Sequence, residues 1–425
     1  VRAQRIPDYE QPPTHYSETA PQDEVTRLRE RLERGELAFV GDERQVLRAV
    51  LDTLQVPASS QVVVFSKTSL QRRRIRPDTP RALYFSDTVY VGWVPGGLIE
   101  VAAIDPKLGP VFYALDPRAS DPARRTFARD NDCLRCHGDH FVRDVPALIA
   151  RSVVPDATGE PLLQYGTKLV DDQTPFEERW GGWFVTGYEG AMDHQGNAWA
   201  PASGDMRGFS ATGSRPSELS SFFDTSRYLT GTSDVVALLV MEHQMAMQNS
   251  LTAASQRCQK MLVYQKSLLK AFKEPETDAL VYDSVKSVFT SAAEEVVDHL
   301  LFRDAAPVPP GVTGLPAFLG DFTKGAPRSA SGHALKDLQL RDRLFSNRCS
   351  FLIYSDTFAA LPEQLKGLIF ERLYEALHDT HADGRYGYLE VNEKIRIYEI
   401  LLETHPDARA RWTARKTPAD QKRSP

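Results

Sequence analysis

Cysteine is scarce in this chain, and long apolar runs are missing. Only four of its 425 residues are cysteine, too few for the disulfide framework of a small secreted scaffold. No stretch approaches the ~18 consecutive apolar residues that a membrane-spanning helix needs. Neither sign of charge dominates: 51 Lys and Arg stand against 57 Asp and Glu, a net charge of −6. Basic residues are dispersed apart from Arg72-Arg73-Arg74-Ile75-Arg76, which reads as a solvated turn and not as a nucleic-acid footprint. Also missing are a P-loop, a dinucleotide glycine fingerprint, a Gly-x-Ser-x-Gly elbow and a His-Glu-x-x-His helix. Their absence removes most nucleotide-dependent, serine-hydrolase and zinc-protease chemistries.

What is present is ordinary globular protein, 41% hydrophobic and 25% charged, long enough for two or three domains. The pattern predicts an α+β fold, a small mainly antiparallel β-rich half followed by an α-helical half. Residues 1–20 hold Pro7, Pro12 and Pro13 and read as an extended arm. Residues 21–232 read as a β-rich domain with two N-terminal helices, at about 21–35 and 43–54. Short runs rich in Val, Ile, Phe and Tyr at 61–65, 82–85, 89–94, 98–104 and 111–115 predict strands between turn signals such as Pro95-Gly96-Gly97. Residues 148–154 and 160–165 read as a hairpin, and 201–233 as a long surface connection. From 233 the spacing predicts helices at 233–272, with Ser233-Asp234 as N-cap and first turn, and at 277–302, 362–378 and 389–404. A Pro/Gly-rich linker or lid is expected at 306–333. The chain opens at Val1 without a Met, which suggests a processed, exported protein.

Cys133-Leu134-Arg135-Cys136-His137 carries the most chemistry. Two thiols separated by two residues are spaced to add to the two vinyl groups on one porphyrin edge. The histidine that follows then supplies the proximal iron ligand, so the string reads as one covalent haem c site. A thioredoxin-like pair needs a βαβ context that this Asp- and Arg-rich segment lacks. A structural zinc needs a second close ligand pair, and none follows. For the remaining Cys258 and Cys349, one long-range disulfide and two unrelated buried thiols are equally open readings.

The second axial position decides the function. His194 is the favoured distal ligand, because Gly190 and Gly196 let its loop approach a flat cofactor closely. His243 is the rival, on an apolar helix stripe with Val240 and Met247, where a core histidine is the plain alternative. Met192 and Met206 are thioether candidates that would raise the reduction potential, although most methionines fill cores. Trp183, in Arg179-Trp180-Gly181-Gly182-Trp183, is expected to wall the cofactor. Arg179 is matched in geometry to a propionate, or else to Glu177 or Glu178. His140 reads as a surface or propionate-side residue.

The CxxCH string resembles, together with 146–153, the Arg-Trp-Gly-Gly-Trp-Phe-Val-Thr-Gly run at 179–187, His194-Gln195-Gly196-Asn197, Glu242-His243-Gln244 and the string at 348–355, a group of little-characterised exported mono-haem c-type proteins of environmental bacteria. The likeness spans about residues 60–405. It implies export and haem c but no particular reaction. The group often has a further histidine where Glu189 stands here, which removes a third-histidine role.

These readings favour a mono-haem cytochrome passing electrons to or from a redox partner protein. Two alternatives stay open. One is a peroxidase-like haem oxidoreductase with His194 or His243 as distal acid/base. The other is a haem sensor or structural subunit. A minimal carrier needs only ~100 residues, so the rest of this chain has further work to do.

Overall fold

The computed structural model describes residues 6–139, 142, 144–201, 214–379, 381 and 384–414. It has the expected α+β architecture, an antiparallel sheet in the N-terminal half and helices in the C-terminal half. The chain divides into two compact units. The first is Val1–Thr252 with Asp304–Phe322 and Leu340–Leu344; the second is Ala253–Arg303, Thr323–Gln339 and Phe345–Pro425. The division falls inside a helix and not at the expected 232/233 boundary, and it splits the 306–333 linker between the units.

In the first unit, α1 (Glu24–Glu33) and α2 (Glu43–Thr53) precede an antiparallel meander of β1 (Val62–Val64), β2 (Arg81–Phe85), β3 (Val89–Trp93), β4 (Ile99–Asp105) and β5 (Gly109–Leu115). Two short strands, β6 (Ala128–Arg129) and β9 (Trp183–Phe184), extend it to seven in the order β6-β5-β4-β3-β2-β1-β9. Alternate residues fill one face: Ala82, Tyr84, Val91, Trp93, Val101 and Tyr113 join Val25 and Leu28 of α1 and Val46, Leu47 and Val50 of α2 in one core. Each fully buried Val or Leu among them contributes about 1.5–3 kcal/mol. Asp23 caps α1 by accepting from Thr26 N (2.8 Å) and also accepts the Tyr113 hydroxyl (2.6 Å), tying helix to sheet. The Asp42–Gln45 capping box starts α2.

The other face is also covered, so all five residues of β3 are buried. Its covering pieces come later in sequence. They are α3 (Leu134–His137), a two-stranded ribbon of β7 (Arg151–Val153) and β8 (Thr167–Leu169), and the start of α4 (Val235–Phe272). Asp234 caps α4, accepting from Val236 N (2.6 Å) and Ala237 N (3.2 Å). In the second unit α5 (Asp283–Leu300) packs on α8 (Glu363–His378), which is followed by α9 (Val391–Thr404) and α10 (Pro406–Thr413). Of two short helices, α6 (Pro316–Thr323) belongs to the first unit up to Phe322 and α7 (Asp356–Ala359) to the second.

Three segments differ from expectation. Residues 6–20 are packed and not an extended arm: Tyr9 and Tyr16 are buried, and the Tyr16 hydroxyl donates to Pro110 O (2.7 Å). The described part of 201–233 is not purely surface, because Leu219, Phe223 and Tyr228 enter the core. The expected hairpin pairs 151–153 with 167–169, since Leu163–Tyr165 forms a 3-10 turn in place of strand. No helix among the described residues is long and apolar enough to cross a membrane.

Candidate functional site

The second face of the meander is the floor of a cavity of about 500 Å³, within the usual range for a ligand site. Cys133, Cys136 and His137 all line it. A 3-10 turn at Asn131–Cys133 runs directly into the single turn of α3. Positions i, i+3 and i+4 therefore share a face, which brings both thiols and the imidazole to the same side. The His137 Nδ1–H donates to Ala147 O (2.8 Å), so the ring's free lone pair is on Nε2. This is the outer contact that ligating histidines make. The carbonyl is held in turn: the neighbouring Leu148 gives N–H to Asn249 Oδ1 (2.8 Å) and accepts from Asn249 Nδ2 (2.8 Å). Phe112 packs on the ring at 4.7 Å between centroids. Burial lowers the His137 pKa to about 4, and Arg81 adds to the effect, so the imidazole is neutral at pH 7. Burial also pushes the Cys133 thiol up to about 12.

Strand period explains the floor. Gly92 of β3 stands opposite both Leu83 and Glu100. Arg81 reaches diagonally across it to Glu100 Oε2 (2.5 Å). A Cβ on Gly92 would lie 2.1 Å from the guanidinium, so glycine makes the room for that crossing. Arg81 Nε is buried with no hydrogen-bond partner among the described residues. Lys67, Arg72, Arg81 and Arg151 line the cavity against Glu100 and Glu160, an excess of two positive charges. Val64, Leu83, Ala102, Ile149 and Trp183 supply apolar wall. The apolar wall and the excess of two positive charges suit a porphyrin with two propionates, and both thiols and the imidazole are on the same cavity. Among the described residues no cluster of three or more His, Cys, Asp or Glu side chains is placed to hold a bare metal ion.

Of the residues singled out in the sequence, Cys133, Cys136, His137 and Trp183 meet at this cavity, and Arg179, His194, His243 and Met192 are not among its lining residues. Arg179 is consumed in a buried network, donating to Glu242 Oε2 (2.6 Å), Thr174 O (2.8 Å) and Asp172 O (3.1 Å), with Trp180 Nε1 on Glu242 Oε1 (2.8 Å). Burial drives Glu242 up to about 7 against the pull of Arg179. Arg179→Ala should cost about 3–5 kcal/mol in denaturant unfolding, because it strands Glu242. His243 is fully buried with Nδ1 on Asp172 Oδ2 (2.9 Å). Met192 is exposed, at 44%. Met206 and His140 lie outside the described residues. Cys258 and Cys349 are both free and buried.

His194 is 2% exposed, its ring edge-on to Phe176, Trp180 and Tyr188, with Nδ1 accepting from Gly196 N (3.0 Å). Burial, helped by Arg215, lowers its pKa to about 4 from 6.5. The unfolded ring therefore takes up its proton near 6.5 and the folded one only near 4. The wild type should lose stability as pH falls through that window, by about 3 kcal/mol in all. The His194→Gln variant should lack this share of the acid-side fall when unfolding is measured from pH 7 to 4, and keep the share that His137, also lowered to about 4, contributes.

Sequence reasoning missed Met245, on α4 and 8% exposed, which among the described residues is the one methionine in the lining as His137 is the one histidine. It also missed the Arg81–Glu100 pair. For the pair a signal existed: opposite charges at strand positions whose neighbours are apolar. Comparisons with family models, with curated proteins and with solved structures found no match.

Proposed function

We propose that the chain is a mono-haem c-type protein that transfers single electrons, with Cys133 and Cys136 as the covalent anchors and His137 as the proximal ligand. One observation carries the reading: both thiols and a neutral imidazole with its Nδ1–H fixed on Ala147 O converge on one apolar-walled cavity. A haem bound there supplies a one-electron iron couple and no proton chemistry of its own. The chain's residues hold and orient. Asn249 and Ala147 fix the imidazole, Trp183 anchored on Arg151 O (2.7 Å) walls the cavity, and the cationic excess answers the propionates. Among the described residues of the lining, Met245 would offer the group a thioether as a second ligand, which His194, outside the lining, would not. Haem c attachment is an extracytoplasmic process in bacteria, so the same reading places the protein outside the cytoplasm, with a redox protein as its partner.

The absorption spectrum of the purified protein, oxidised and reduced, with and without CO, tests this. Low-spin bands unmoved by CO agree with two filled axial positions. A high-spin spectrum that shifts with CO transfers the function to oxidant chemistry or ligand sensing, and a protein without haem bands ends the reading.

A further inference from the structure

We propose that Asn249, on α4, is a positioning residue that sets the reduction potential at the site by polarising the peptide that holds His137; this rests on the haem reading and adds what tunes it. The Ala147 carbonyl and the Leu148 N–H belong to one planar, resonance-linked peptide unit. His137 Nδ1–H donates to that carbonyl (2.8 Å), and that N–H donates to Asn249 Oδ1 (2.8 Å). The Asn249 amide, the peptide and the imidazole are therefore links of one hydrogen-bond chain. Bonds in series polarise one another. As the N–H gives to Oδ1, the carbonyl oxygen grows more negative and becomes the better acceptor for the imidazole.

Every link is fixed. Asn249 Nδ2 also donates to Leu148 O (2.8 Å), and a carbonyl beside an N–H leaves the amide only one orientation. Ala147 N–H donates to His137 O (2.8 Å), so Ala147 and His137 hold each other by two bonds. Ala147 is 1% exposed and Leu148 5%, and in such dry surroundings a hydrogen bond is electrostatically stronger than in water. Asn249 carries no charge and is not among the lining residues, so the peptide is its route to the imidazole. Met245, four residues earlier on the same helix, does line the cavity, and α4 thus serves the site at two points about one turn apart.

The consequence has a sign. A stronger bond to Nδ1–H gives the ring more imidazolate character and makes Nε2 the better donor. A better donor favours ferric over ferrous iron, so the chain from Asn249 lowers the reduction potential. No proton leaves the ring. A residue that only pinned the 147–148 segment would support stability and leave the potential where it was.

The test uses the full haem-loaded chain. Asn249→Leu removes both bonds without a change of charge. At a fixed ambient potential its ratio of oxidised to reduced protein should fall roughly three- to tenfold. In the same sample the His137 Nδ1–H proton of the reduced protein should exchange with solvent several-fold faster and resonate upfield. Asn249→Asp keeps an oxygen on the Leu148 N–H and should hold the potential at or below the wild-type value. His243→Ala, on the same helix but outside this chain of bonds, lowers stability and should move neither readout.

Haem bands with an unmoved potential in Asn249→Leu overturn the proposal and leave the haem reading intact. So do equal rises in Asn249→Leu and His243→Ala, a rise in Asn249→Asp, or a shifted potential with the Nδ1–H signal unchanged. Absence of haem bands ends the haem reading and this proposal together.

Discussion

The Cys133→Ser/Cys136→Ser double variant should surrender all of its haem to acidified organic solvent, whereas the wild type keeps it on the polypeptide. The reason lies in bond type. A cofactor held through His137 and the cavity wall is released once acid protonates the imidazole and unfolds the chain. Two carbon–sulfur bonds survive both. Either single serine variant should retain haem through one bond, because both thiols face the same cavity. Haem stain on a denaturing gel reads the outcome directly, and mass spectrometry counts the attached groups. A double variant that still carries covalent haem would place the attachment elsewhere and sink the site.

Met245→Ala should open the iron to CO, converting a CO-indifferent spectrum into one that shifts. His194→Ala and His243→Ala should leave the spectrum as it is, since neither side chain lines the cavity. All three should lower stability. Truncating a buried methionine costs about 2–5 kcal/mol. Removing a hydrogen-bond partner of a carboxylate, as His243→Ala does to Asp172, costs about 1.5–3 kcal/mol. Stability therefore does not separate the three variants and coordination does. A CO response in His194→Ala with none in Met245→Ala would reverse the assignment.

The sheet was largely legible, because β1 to β5 are runs of β-branched and aromatic residues cut by glycine and proline turns. Strands β6 and β9 were not, having only two residues each, too few to display a period. The two-faced burial of β3 hid its geometry: with every residue apolar or glycine, nothing in the run said which side would be floor. Cys133, Cys136 and His137 stood out by their spacing, and the structure brings all three to one cavity. Met245 did not stand out, since a methionine on a largely apolar stretch of helix looks like core filling until the cavity is seen. His194 attracted attention through its flanking glycines, and those glycines serve a different end. A Cβ on Gly196 would meet Val185 at 2.5 Å, so the loop is pressed against its own neighbours inside an aromatic cage. Arg179 misled for a related reason, because a guanidinium suited to a propionate is equally suited to Glu242.

The order in which the cavity's parts occur along the chain sets a timetable for maturation. Every strand of the floor from β1 to β5, and both helices beneath it, precede Cys133. Every covering piece, from Leu148 through the ribbon and Trp183 to Met245, follows His137. A chain that has emerged as far as the CxxCH string already carries strands β1 to β5 and the two helices of the platform, and still lacks Phe184, Leu219, Phe223 and Tyr228 from its core. Each later segment then lowers part of the roof, and the last, at Met245, arrives 108 residues after His137. On the proposed haem reading, the window for an attachment enzyme would be the interval of synthesis or transport between those two residues. Once it closed, the bonded group would be walled in by the chain that carried it.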